Sequence, residues 1–98
     1  MRVRLSAEAE REIDEIGLYI ASDNPVRAAS FVAELIDQCE ALGEHALRYP
    51  VILVVDGLEL RKCSYRGYLI FYAVRVEVEI AHVFHGARDY LKLLFAED

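Results

Sequence analysis

Ninety-eight residues, 55% of them apolar, with a net charge of −6 at pH 7, suit one compact domain over residues 1–98 with a core large enough to fold without disulfides or metal. The longest apolar runs, "VILVV" and "YLIFYAV", are far short of the roughly 20 residues that a membrane span needs. The first residues turn acidic and polar after "MRVRL", which is no signal-peptide pattern, so a soluble, cytoplasmic protein without a membrane partner is expected. The charge is uneven: residues 1–57 hold five Arg against eleven Asp or Glu, whereas residues 58–98 hold six basic and six acidic side chains. Arg61, Lys62, Arg66 and Arg75 form a basic patch with no acid among residues 60–76. Such a patch suits an acidic partner segment or a few phosphates, and argues against direct sequence-specific binding of a nucleic-acid duplex, whose affinity depends on neutralising many phosphates. Cys39 and Cys63 have no CxxC spacing and read as small apolar residues.

In chain order, "RVRL" alternates as a short half-buried strand, and Ser6 offers an N-cap with Glu8 and Glu10 in the following turns. Ala9, Ile13, Ile16 and Ile20 recur at helical spacing, with Glu8, Arg11, Glu12 and Glu15 on the other face. "SDNP" ends this helix, and Asn24 with Pro25 starts a second, whose stripe is Ala28, Phe31, Val32, Leu35, Cys39 and Leu42. The acids Glu8, Glu12, Glu15, Asp37 and Glu44 read as a solubilising surface. After Gly43 the period changes. "VILVV" is a strand or extended arm, Asp56-Gly57 is a turn signal, and "LELRKCSY", "GYLIFYAVRV" and "VEVEIAHVFH" suit a three-stranded antiparallel meander followed by a short C-terminal helix over 88–95. The fold class is therefore α+β: an N-terminal strand, a two-helix hairpin, the meander and the terminal helix. In "YLIFYAV" both parities are apolar, so the sheet needs a cover on each face, and the helical hairpin supplies one; the terminal helix or a partner supplies the other.

The histidines invite a reaction centre, and spacing argues against it. Three residues apart on a strand, His82 and His85 face opposite sides, so no shared metal is expected, and no GxSxG-type elbow points to a nucleophile. His82 within the strand reads as framework. His85, Arg88 and Asp89 form a rim where the strand hands over to the helix, and this rim reads as a binding edge.

The element order, with "NPVRAASF", "LELRK", "GYLIFYAV" and "EIAHVFHGARDYLKLL", resembles the RelE/ParE toxin superfamily, specifically its ParE branch, over nearly the whole chain. The resemblance implies a toxin of a bacterial type II toxin-antitoxin pair, a non-enzymatic inhibitor of DNA gyrase that needs no cofactor. It also implies neutralisation by a ParD-like antitoxin in a hetero-oligomer with at least two of each chain. For the antitoxin, Tyr19, Leu69 and Phe71 are the apolar contacts and Arg61, Arg75 and Arg88 the basic ones; His85, Arg88 and Asp89 are the gyrase candidates. The alternative is the superfamily's ribosome-dependent mRNA endoribonuclease activity, for which Lys62, His85, Arg88 and Tyr90 are the candidate catalytic residues. Against it, Leu69 stands where the nuclease branch carries an arginine, and "LLFAED" lacks the expected Tyr, His or Lys.

Overall fold

The computed structural model describes residues 1–87 together with Lys92 and Leu94. The elements are β1 (Val3–Leu5), α1 (Ala7–Ala21), α2 (Pro25–Ala41), β2 (Val51–Val55), β3 (Leu58–Tyr65), β4 (Tyr68–Val74) and β5 (Val78–His85). Ser6 caps α1 by accepting from the Ala9 N–H, and Asn24 caps α2 by accepting from the Arg27 N–H, as their short polar side chains favour. The five strands form one mixed sheet in the order β1-β5-β4-β3-β2. β1 runs parallel to β5, and the remaining neighbours are antiparallel.

The antiparallel part is larger than the expected three-stranded meander. "VILVV" is a full strand because Asp56 and Gly57 both take positive φ, 52° and 77°, the two left-handed residues of a hairpin turn whose twist matches that of the strands. Arg66 and Gly67, at 46° and 86°, do the same between β3 and β4, a turn the sequence did not advertise because Arg is an uncommon left-handed residue. The terminal helix expected over 88–95 lies, apart from Lys92 and Leu94, outside the described residues.

α1 and α2 cover one face. Ala9, Ile13, Cys39 and Leu42 pack there with Cys63, Ile70, Tyr72, Val78, Ile80 and Val83 from the sheet. The strand parity read from "YLIFYAV" holds: Phe71 and Ala73 stand opposite this core and are nevertheless buried, as are Leu60 and Phe84. The second face is therefore not an open apolar surface. Leu94 borders the same cavity as Leu58, Leu60 and His82 on that side.

β1 is far shorter than its neighbour. It pairs with Val78, Glu79 and Ile80, and the chain then turns into α1, so that beyond Ile80 this edge of β5 has no strand beside it among the described residues. The Ser6 N–H donates to the Ile80 carbonyl and its hydroxyl to the Ala81 carbonyl. Nearly two helical turns on, the Glu12 carboxylate accepts from the Val83 N–H at 2.9 Å and meets His82 Nδ1 at 3.1 Å. Glu12 thus replaces the missing strand as a hydrogen-bond partner. This corrects its reading as solubilising surface: it is 8% exposed, the one buried charged residue among those described. The stripe pattern placed it outward because a carboxylate on an amphipathic helix ordinarily faces water.

Candidate functional site

Glu12, Glu15, Ile16 and Tyr19 recur at the i, i+3, i+4, i+7 spacing of one helix face. This face of α1 stands over the end of β4 and β5, and between them lies a groove of about 410 Å³ lined by those four residues with Tyr68, Val83, Phe84 and His85. Ile16, Val83 and Phe84 make the lining largely apolar. Tyr19 at its border is 78% exposed, a large aromatic surface left to solvent beside a ready cavity.

The far wall is an aromatic row. His85 meets Tyr68 edge-on at 5.1 Å, Tyr68 packs on Phe31 at 5.3 Å, and Phe31 stacks on Tyr65 at 6.2 Å. The row is tied to α2 through Glu34, which accepts from Arg27 at 2.6 Å and from the Tyr65 hydroxyl at 2.7 Å. These two bonds, with Arg66 at 3.6 Å, hold the Glu34 carboxyl down at about 2. The Arg66-Gly67 turn is fixed on its other side by the Gly86 N–H, which donates to the Gly67 carbonyl at 2.7 Å. A Cβ at Gly86 would lie 2.9 Å from that oxygen, so the close approach requires glycine.

Chemically the groove is quiet. His85 Nδ1 accepts from the Ala87 N–H at 3.1 Å, so a neutral ring carries its proton on Nε2. Burial, with Tyr19 nearby, pushes the Tyr68 phenol up, which keeps it protonated at neutral pH. No Lys or Arg lines the groove among the described residues, and two carboxylates do. Such a surface recognises an apolar group and repels a phosphate.

Residues 3–90 match the model of the family described as ParE toxin of type II toxin-antitoxin system, parDE. The chain belongs to the ParE toxin family. It is 32% identical over 93 residues to the Sinorhizobium fredii (strain NBRC 101917 / NGR234) protein named "Putative toxin Y4kP", with 95% of this chain and 96% of that one covered. Its fold is similar to a solved chain of the "Chromosomal ParDE TA system from P. aeruginosa", with a TM-score of 0.75 at 17% identity, over 87% of this chain and 95% of that one. The protein is thus a ParE-type toxin of a type II toxin-antitoxin system.

Within this ParE fold the residues singled out from the sequence fall into separate places. Tyr19 and His85 meet at the groove. Leu69 and Phe71 do not line the groove; they lie on the sheet face away from α1 and α2, with Leu69 half-buried opposite Phe84 and Phe71 fully buried. Arg61 turns back on its own chain, donating to the carbonyls of Tyr49 and Leu47. Arg75 is exposed and borders the cavity on the second face with Val55, Leu58 and Leu60. Lys62 pairs across the strands with Phe71 and His85 with Tyr68, which puts this part of the nuclease set on opposite faces. Arg88, Asp89 and Tyr90 lie outside the described residues. Sequence reasoning passed over Glu12, Glu15, Ile16, Tyr68, Val83 and Phe84 as site residues. The one available signal was the mismatch in length between "RVRL" and "VEVEIAHVFH", which leaves a strand edge that some polar group has to satisfy.

Proposed function

We propose that this ParE-type toxin acts by binding DNA gyrase and stabilising its DNA-cleaved state, with no bond made or broken by the toxin itself. A ParD-like antitoxin neutralises it in a cytoplasmic hetero-oligomer holding at least two of each chain. Favouring one conformation of a target requires differential affinity and no catalytic group. The observation that supports this reading best is the groove itself: apolar, bordered by exposed Tyr19, and lined by carboxylates with no described cation to hold a scissile phosphate. It suits a peptide segment that orders on docking. The family match and the likeness to a chain of a ParDE system support an antitoxin as that peptide's source. The rim carrying His85, with Arg88 and Asp89 following in sequence, is the proposed gyrase contact.

A supercoiling assay with purified, antitoxin-free toxin, run beside a cleavage assay on translating ribosomes, tests the reading. Trapped DNA cleavage or blocked supercoiling is expected in the first and intact mRNA in the second. Codon-dependent mRNA cuts lost in His85→Ala, with normal gyrase activity, would overturn it.

A further inference from the structure

The sequence led us to expect an antitoxin that meets this toxin with acidic side chains, because its basic residues cluster at 60–76. The groove carries the opposite charge. Glu15 is exposed on its wall and has no hydrogen-bond or ion-pair partner among the described residues. Glu12 below it is already engaged by Val83 and His82. Arg27, the basic residue at the near end of α2, is held by Glu34, and Arg61 by the carbonyls of Leu47 and Tyr49. Among the described residues the wall of the cavity therefore presents one carboxylate without an ion-pair partner, Glu15, beside the apolar hollow and the Tyr19 ring.

Resting on the reading of the groove as the antitoxin's seat, we infer that the antitoxin segment filling it brings a bulky apolar anchor with a Lys or Arg next to it, the anchor entering between Ile16, Tyr68 and Phe84 and the cation pairing with Glu15. Charge complementarity decides the occupant's sign. An acidic segment would place its carboxylate against Glu15, where like charges repel, whereas a cation there gains a pair. A cation there also lies beside the Tyr19 ring, whose face attracts it. The pair sets which antitoxin is accepted, and the apolar anchor sets how tightly.

The test measures the affinity of the full-length ParD-like antitoxin encoded with this toxin for four toxin variants, each first shown to melt as the wild type does. Glu15→Gln is expected to weaken binding about two- to fivefold, and Glu15→Lys at least about tenfold. Glu10→Lys makes the same change of net charge on an exposed part of α1 that does not line the groove, and is expected to change little. An antitoxin whose basic residue next to the anchor is changed to Glu should restore binding to Glu15→Lys. Equal losses in Glu10→Lys and Glu15→Lys would mean that bulk charge alone acts, and unchanged or tighter binding by Glu15→Lys would mean that the partner is not basic there; either overturns the inference. The fourth variant, Tyr19→Ala, separates the two levels. If it weakens binding while both Glu15 variants do not, the groove remains the seat and the charge inference falls. If Tyr19→Ala and the Glu15 variants all bind as wild type, the seat itself is elsewhere.

Discussion

Glu12 carries more of this structure than its place in the sequence suggests. Its carboxylate satisfies the Val83 N–H and orients His82, whose ring stacks on Phe84 at 5.0 Å in the wall of the groove. Removing it leaves a buried backbone donor without an acceptor, which costs about 1–3 kcal/mol. Glu12→Ala is therefore expected to lower the unfolding free energy by that amount, seen as a lower denaturation midpoint with an unchanged denaturant slope, while Glu12→Gln, which keeps a carbonyl oxygen for Val83, loses less. Equal stability of wild type and Glu12→Ala in urea titration would show that water replaces the carboxylate at no cost. The reading of His82 as framework followed from its strand position alone, whereas Glu12 was illegible because nothing local distinguishes it from Glu8 or Glu15 on the same helix. Cys39 makes a contrasting residue-scale case. Burial, with Cys63 and Glu40 nearby, pushes its thiol up to about 12, so in the native state neither the thiolate nor access to it is present. Thiol titration should leave Cys39 unmodified until the protein unfolds; labelling at the rate of a free thiol would contradict its burial.

Between elements, the tie from α2 to the β3–β4 turn is electrostatic and depends on pH. Glu34 is held at about 2 first by Arg27, then by the Tyr65 hydroxyl, below the ordinary glutamate value near ~4.3. A depressed carboxylate stabilises the fold at every pH above its unfolded value. That contribution fades as pH falls from about 4.5 towards about 2, where both states bind the proton. Thermal melts of wild type and Glu34→Gln should accordingly differ at pH 7 and converge over this window; a constant gap down to pH 2 would show that the bond to Glu34 is not titrating. The carboxyl is about one-third exposed, so the effect is modest and screened by salt. The hairpins show which part of the element level the sequence discloses. Asp56-Gly57 announced its turn through residue types that tolerate positive φ, and Arg66-Gly67 did not. Only the pairing of β3 with β4 and the closure by Gly86 select that conformation at Arg66. The helical hairpin was legible throughout, since its stripes, caps and Pro25 are local signals. The sheet order was not, because the parallel pairing of β1 with β5 joins residues more than seventy positions apart.

At the scale of the molecule, the two outer edges of the sheet are finished differently. The β5 edge is closed by β1, Ser6 and Glu12, whereas β2 is an outer strand of five apolar residues with its far side unpaired among the described elements. Val54 on it is 60% exposed. Such an edge is a template for strand addition between copies. Two features oppose this: a bulge in β2 between Val51 and Leu53 breaks its register, and the net charge of −6 keeps copies apart. The second protection weakens as carboxylates take up protons, so the free toxin is expected to aggregate most readily on mild acidification towards pH 5, before the fold itself is lost. Val54→Lys places a charge on the edge strand while its side chain stays in water, and should raise the protein concentration at which light scattering first increases, with the melting temperature unchanged. On the proposal that the groove seats the antitoxin, Ile16→Lys is instead expected to abolish antitoxin binding and spare the edge. If Val54→Lys leaves the scattering threshold where it was, the aggregating surface is not β2. The exposed apolar residues of the helical hairpin, Leu18, Tyr19 and Val26, then become the next positions to charge, and an antitoxin seated in the groove should suppress scattering to the extent that it covers Tyr19.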